Sequence, residues 1–175
     1  MIRLSFILLL LSLALLACST EPEGCERFEF PLGPAVAATH TSTCTSAACG
    51  NGLNPPTAGP HCSFTLACQT FDTEQAPCSW LHNLEHGHAV FLYNCPEGCP
   101  EEVAKLEQAR SEARVGSNGV RRAVVAPAPG LPNRVAAILW RRAYLADTAD
   151  PEALHCLLQL QDQDVPEPGL NCAAQ

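Results

Sequence analysis

The stretch HNLEHGHAVFLYN, from His82 to Asn94, places three histidines and one glutamate in seven residues and then runs into an apolar segment. Its two halves obey different periods. If residues 82 to 86 make a helical turn, His82 and His86 stand four apart on one face, close enough to share one ion. Gly87 then ends the turn and releases the chain. Val90, Phe91, Leu92 and Tyr93 follow as a short apolar run, the pattern of a buried strand. His88 has the strand parity of Val90 and Leu92, so it faces wherever they face. A junction from helical turn to core strand therefore carries the polar cluster.

The C-terminal side of this junction supplies the rest of the fold class. Pro100 suits a first helical position, with Glu101 and Glu102 at the positive end of the dipole. That helix runs through Val103, Leu106 and Ala113 and stops at Gly116. VRRAVVAP (120–127) reads as a second strand ended by Pro127, and VAAILWRRAYL (135–145) as a third, though its pattern also fits a helix. Asp150 caps a last helix whose apolar stripe is Leu154, Leu157 and Leu158. The order strand, helix, strand, strand, helix implies an α+β domain: a small mixed or antiparallel sheet with two helices on one face.

The N-terminal side is different in kind. From Val36 to Ser79 there is little periodicity, and Thr, Ser, Gly, Pro and five cysteines dominate, so a disulfide-linked, loop-rich half is expected. Within it lies NPPTAGPH (54–61). Pro55 and Pro56 hold the backbone extended, Gly59 permits a turn, and Pro60 fixes its own φ, which presents His61 in a defined direction.

The chain opens MIRLSFILLLLSLALLACST: one basic residue, then an apolar run too short to span a bilayer comfortably, the layout of an export signal. Leu15-Leu16-Ala17-Cys18 resembles a bacterial lipobox, which implies cleavage after Ala17 and acylation of Cys18. More than one acyl chain gives stable anchoring. Ser19 at the next position implies, by the same resemblance, the outer membrane. The expected organisation is a lipoprotein signal over 1–17, a Pro/Gly/Glu-rich tether over 18–35 and one domain over 36–175, on the periplasmic face of the outer membrane or at the cell surface.

The 175-residue chain carries a net charge of −8, and loss of Arg3 with the signal makes it −9. An acidic chain without a basic cluster argues against nucleic acid as a partner. Eleven cysteines less Cys18 leave an even ten: Cys25, Cys44, Cys49, Cys62, Cys68, Cys78, Cys95, Cys99, Cys156 and Cys172. In an exported chain an even count points to disulfides, whose pairing spacing alone does not give. There is no Cys-x-x-Cys pair to suggest a thiolate metal site.

With the cysteines oxidised and Met1 removed, no soft sulfur ligand remains. Imidazole with carboxylate or water suits Zn(II), Cu(II) or Ni(II) over Cu(I). His61, His82 and His86 are the candidate ligands. Glu85, His40, His88 and Asn83 are possible further ligands or orienting groups. The competing expectation is a structural or partner-binding lipoprotein whose histidines form a hydrogen-bonded core. The letters of 82–86 also match H-x-x-E-H, the inverted zincin motif with Glu85 as base, but the long helix that motif needs is broken by Gly87. No catalytic residue is assigned.

NPPTAGPH at 54–61, WLHNLEHGHAVFLYNCP at 80–96 and VVAP at 124–127 with the Trp140 segment resemble the bacterial family called domain of unknown function 3105. The resemblance covers roughly residues 36 to 160. It implies that His61, His82 and His86, with Asn83 and Glu85, are the family-like positions, that His40 matches a preceding histidine, and that His88 is an ordinary strand residue. Ala58 stands where serine is usual. The resemblance implies export or membrane attachment and no established activity. The reading that results is a lipid-anchored binding or sensing module holding a divalent metal, Zn or Cu(II).

Overall fold

A computed structural model describes residues 24–173. The signal and the lipidation candidate Cys18 lie outside the described residues. Three helices, α1 (Pro77–Glu85), α2 (Pro100–Glu112) and α3 (Pro151–Gln159), accompany strands β1 (Ala89–Tyr93), β2 (Ala123–Pro127), β3 (Val135–Leu139) and β4 (Arg142–Ala146). The domain is α+β. Among the described residues no helix is long and apolar enough to cross a membrane.

The four strands form one mixed sheet in the order β2-β1-β3-β4. β1 pairs parallel with β2 and antiparallel with β3, and β3 pairs antiparallel with β4. The segment from 135 to 145 is thus a hairpin of two strands, where the sequence suggested one. Its turn is Trp140-Arg141, with Arg141 at a φ of 62°. Two-residue hairpin turns favour Gly or Asn at such angles, and here tertiary bonds hold the arginine instead. Arg141 N–H donates to the Thr57 carbonyl at 2.8 Å, and its Nε donates to the Gly33 carbonyl at 2.9 Å.

Strand alternation divides the apolar residues between two cores. Phe91, Val125 and Ala137 face α2 and α3, meeting Leu106, Leu154 and Leu157. Val90, Leu92, Val124 and Ile138 face the other way, onto Trp80, Leu81 and Leu84 of α1. So α2 and α3 share one face as expected, and the second face is also covered, by α1 and the loop-rich half. Central strands buried on both sides read as continuous apolar runs rather than alternating ones, which is why β1 lacks a clean period. Pro77 opens α1 at a first-turn position, and eight residues from Cys78 to Glu85 are buried. The helix begins five residues before His82, not at it.

All ten expected cysteines stand in pairs: Cys25–Cys156, Cys44–Cys62, Cys49–Cys78, Cys68–Cys172 and Cys95–Cys99. Their Cα separations of 5.3 to 5.6 Å lie within the range a disulfide bridges. The surroundings of Cys49 differ from the structureless loop expected there. Cys49 ends a short 3-10 helix, Ser46–Ala48, in extended backbone, and its half-buried side chain packs against the α1 core. Its bridge to Cys78 ties that turn to the start of α1. A single 3-10 turn is too brief to leave a period in the sequence. The Cys25–Cys156 bridge and Phe28 and Phe30, packed beside α3, fix the chain to the domain from Gly24 onward. The stretch expected as a tether to residue 35 is therefore docked over its described part.

Candidate metal centre

Backbone pairing brings His40 to His61. His61 N–H donates to the Thr39 carbonyl at 3.0 Å and Thr41 N–H to the His61 carbonyl at 2.8 Å, a parallel bridge between residues 40 and 61. Gly59 lets the same loop lie against Gly50: a Cβ there would sit 2.5 Å from the Gly50 carbonyl oxygen. Next along, Cys62 N–H donates to the Cys78 carbonyl, which joins this loop to the first turn of α1. The cluster's other members come from the last turn of that helix. Gly87 ends it at a φ of +78°, where a Cβ would also strike the Asp162 carboxylate.

The result is a convergence of three imidazoles on one carboxylate oxygen. Oε2 of Glu85 lies 2.9 Å from Nε2 of His61, 3.6 Å from Nε2 of His82 and 3.8 Å from Nε2 of His40. One donor atom from each of these four residues lies within 4.8 Å of all the others. His61 is fully buried, Glu85 and His82 nearly so, and the His40 side chain is 53% exposed, so His40 is the open side.

The proton positions at His61 follow from its partners. Its Nδ1 lies 2.8 Å from the Gly59 carbonyl, which only accepts, so Nδ1 carries the hydrogen. In the neutral ring Nε2 then turns a bare lone pair at the Glu85 carboxylate. Lone pair against carboxylate needs a cation between them, either a proton or a metal ion. One proton serves one imidazole, whereas a metal ion accepts all the converging lone pairs. A backbone carbonyl on the far ring nitrogen is also how metal-binding histidines are commonly oriented. Burial lowers the pKa of His82 from 6.5 to about 4, helped by His61 and His86, so its ring is neutral at pH 7 and offers a lone pair. Its Nδ1 is buried with no hydrogen-bond partner in the protein.

His86 is placed differently from His61 and His82. Its ring lies 4.8 Å from that of His82, but its Nδ1 donates to the Glu167 carbonyl at 3.0 Å, and it groups with Glu85 and Glu167. His40 takes the third imidazole position around Glu85 Oε2. Asn83 and His88 are mutually satisfied. The Asn83 amide donates to the Leu66 carbonyl and to His88 Nδ1 and accepts from Leu66 N–H, while His88 Nε2 donates to the Leu170 carbonyl at 2.8 Å. Burial first, then the Arg122 charge, hold the His88 pKa at about 4, against the bond to Leu170 that raises it. A neutral histidine with both nitrogens bonded is a core residue. Cys68 and Cys172 beside it are bridged and offer no thiolate. Glu167 carried no signal in the sequence, being one acidic residue in a Pro/Gly loop.

A family described as "Protein of unknown function (DUF3105)" matches residues 40–174, which include every residue of this cluster. The chain belongs to this family. No curated protein and no solved structure matches it. For this DUF3105 member the geometry of the cluster is thus the direct evidence about its chemistry. The donor set is all imidazole and carboxylate, within metal-binding distance and without soft sulfur.

Proposed function

We propose that the protein is an exported, lipid-anchored module that binds a divalent metal ion through His40, His61, His82 and Glu85, as a metal-binding or sensing domain. One observation carries this: three imidazole nitrogens, from two loop segments and a helix, surround a single buried carboxylate oxygen at 2.9, 3.6 and 3.8 Å. Zn(II) and Cu(II) are the ions the donor set suits. The paired cysteines favour an oxidising compartment, and the apolar leader with Cys18 favours a membrane anchor. Exposed His40 gives the ion a route in and out. Glu85, surrounded by imidazoles, acts as a ligand rather than as a base for hydrolysis.

The test is metal analysis of the full chain, purified in detergent without chelator or histidine tag, before and after loading with Zn(II) or Cu(II). Bound metal that His61→Ala abolishes is expected. A content near zero that added metal leaves unchanged would remove the reading and leave a hydrogen-bonded core, as His88 and Asn83 already form.

A further inference from the structure

We propose that the Cys95–Cys99 disulfide is a redox-active site, which oxidises a pair of cysteine thiols in a peptide by thiol–disulfide exchange. It stands apart from the histidine cluster and does not depend on a bound ion: the clustered histidines precede β1, and this bridge follows it. The other four bridges each include a buried cysteine (Cys62, Cys68, Cys78, Cys156 or Cys172) and join residues 18 to 131 positions apart. Cys95 and Cys99 are only 4 apart, and neither is buried. A closed loop this short constrains the unfolded chain least. Exposed bridges are also the labile ones, open to attack by a thiolate.

The main chain holds the two cysteines in place without the bridge. Asn94 N–H donates to the Arg134 carbonyl at 2.8 Å and its side-chain amide to the Leu131 carbonyl at 2.9 Å, which fixes the chain just before Cys95. Gly98 N–H donates to the Cys95 carbonyl at 3.0 Å and closes the turn, with Gly98 at a φ of +83°. Val103 N–H donates to the Cys99 carbonyl at 3.1 Å and starts α2. A dithiol held so can close again without rebuilding the fold. There is also room for a thiol to arrive. A cavity of about 180 Å³ is walled by both cysteines with Glu97 and Arg134, and one of about 200 Å³ adjoins Cys95 beside Tyr93, Pro127 and Pro129.

Cys99 is the sulfur better suited to leave. It is the N-cap of α2, and its side chain makes no capping bond, so the N–H groups at the positive end of the helix can receive a thiolate there. Arg134 walls the cavities beside it. Of the nearby carboxylates, Glu102 is committed to Lys105 and to Ala149 N–H, while Glu97 and Glu101 are exposed to water. The incoming peptide thiolate attacks Sγ of Cys95. The bond to Cys99 breaks as the new one forms, and its electron pair leaves on Cys99 as thiolate. The peptide's second thiolate then attacks the peptide sulfur of this mixed disulfide and frees Cys95. The protons given up by the peptide thiols are balanced by those taken up on Cys95 and Cys99, so the peptide pair is oxidised and the bridge reduced.

The experiment mixes the metal-free full chain, in detergent and without oxygen, with a short synthetic peptide carrying two cysteine thiols, and quenches samples with N-ethylmaleimide. Mass spectrometry reads which protein cysteines are labelled and how much peptide disulfide has formed. Cys95 and Cys99 should label about tenfold or more faster than the cysteines of the other bridges, with peptide disulfide forming in step. Cys95→Ser/Cys99→Ser removes only this bridge; its circular dichroism should match wild type and its peptide oxidation should be about tenfold or more slower. Labelling of another bridge first, of all bridges together or of none overturns the proposal, as does undiminished peptide oxidation by the variant.

Discussion

Glu85→Gln separates a metal ligand from a structural ion pair, because the two roles give opposite results. A tetrahedral ion with bonds of about 2.0–2.1 Å sets its ligand atoms about 3.3 Å apart. Glu85 Oε2 already lies 2.9, 3.6 and 3.8 Å from the three imidazole nitrogens. Each of these three pairs therefore needs an adjustment of about half an ångström or less, and the imidazole nitrogens, within 4.8 Å of one another, draw in the rest of the way. At a free metal concentration a hundredfold above Kd, binding stabilises the folded state by about 2.7 kcal/mol. For a chain this size that raises Tm by about 8 °C. Losing an outer partner of a ligand already weakens metal sites by about 10–100-fold. Losing Glu85 should cut the shift below about 2 °C at the same metal concentration. In the metal-free protein the Gln side chain keeps a hydrogen-bonding partner for Nε2 of His61, so stability should stay within about 1 kcal/mol of wild type. Were Glu85 instead one half of a buried ion pair, the same change would cost about 3–5 kcal/mol. Thermal and urea unfolding, with and without Zn(II), read both numbers. A metal-free loss of that size together with an undiminished metal shift would refute the reasoning.

The low pKa of His88 makes acid sensitivity predictable in the metal-free protein. Its folded value of about 4 lies below its unfolded value of 6.5, so its stabilisation is complete above pH 6.5 and is lost as pH falls towards 4, by about 3 kcal/mol at most. His82, also held at about 4, acts over the same window, so His88→Gln should remove about half of the pH dependence of urea unfolding there, and superimposable profiles would exclude His88 as a source. Cys44→Ala/Cys62→Ala frees the chain beside His61, and calorimetry should find Zn(II) affinity lowered about tenfold or more; equal affinity would mean the bridge does not position the ligand. Asp150 accepts from the N–H groups of Glu152 and Ala153 at 2.9 and 3.4 Å, so Asp150→Ala should lower stability by about 1 kcal/mol without touching metal binding. Cys18→Ser should move the chain from the membrane fraction to the soluble one; a variant still in membranes would argue against acylation there.

The parts legible in the sequence are those fixed by local chemistry. HNLEHG followed by an apolar run gave the helix-to-strand junction, because Gly87 and the change of period sit in neighbouring residues. Asp150-Pro151 gave α3 through a cap that needs no tertiary help. What was not legible depends on distant contacts. The Trp140-Arg141 turn has no Gly or Asn because Thr57 and Gly33 hold its backbone. The start of α1 at Pro77 is hidden because nearly every residue of the helix is buried, which erases the polar face a helical pattern needs. The cysteine count announced bridges, but that Cys49 meets Cys78 depends on how the first loop folds onto α1. His40 could be named only as a possible fourth ligand, since its place beside His61 is made by main-chain bonds. Glu167 could not be named, as its approach to His86 depends on how the C-terminal loop folds back.

The α1 face of the sheet itself argues that the cluster is more than packing. Trp80, Leu81 and Leu84, on the same helix, fill that core with apolar volume. Replacing buried charged groups by such residues is often neutral or stabilising. A site that needed only cohesion would gain nothing from three imidazoles gathered around one buried carboxylate. Where a buried histidine here is structural, the fold satisfies it fully, as at His88, with one nitrogen donating and the other accepting. His61 and His82 are not treated so. His61 Nε2 meets a carboxylate oxygen at 2.9 Å, a pair that needs a proton or a metal ion between them, and His82 Nδ1 meets no partner. The same short segment thus holds His88, with both nitrogens bonded, and His82, whose Nε2 turns to the Glu85 carboxylate at 3.6 Å, the place the proposed ion would take.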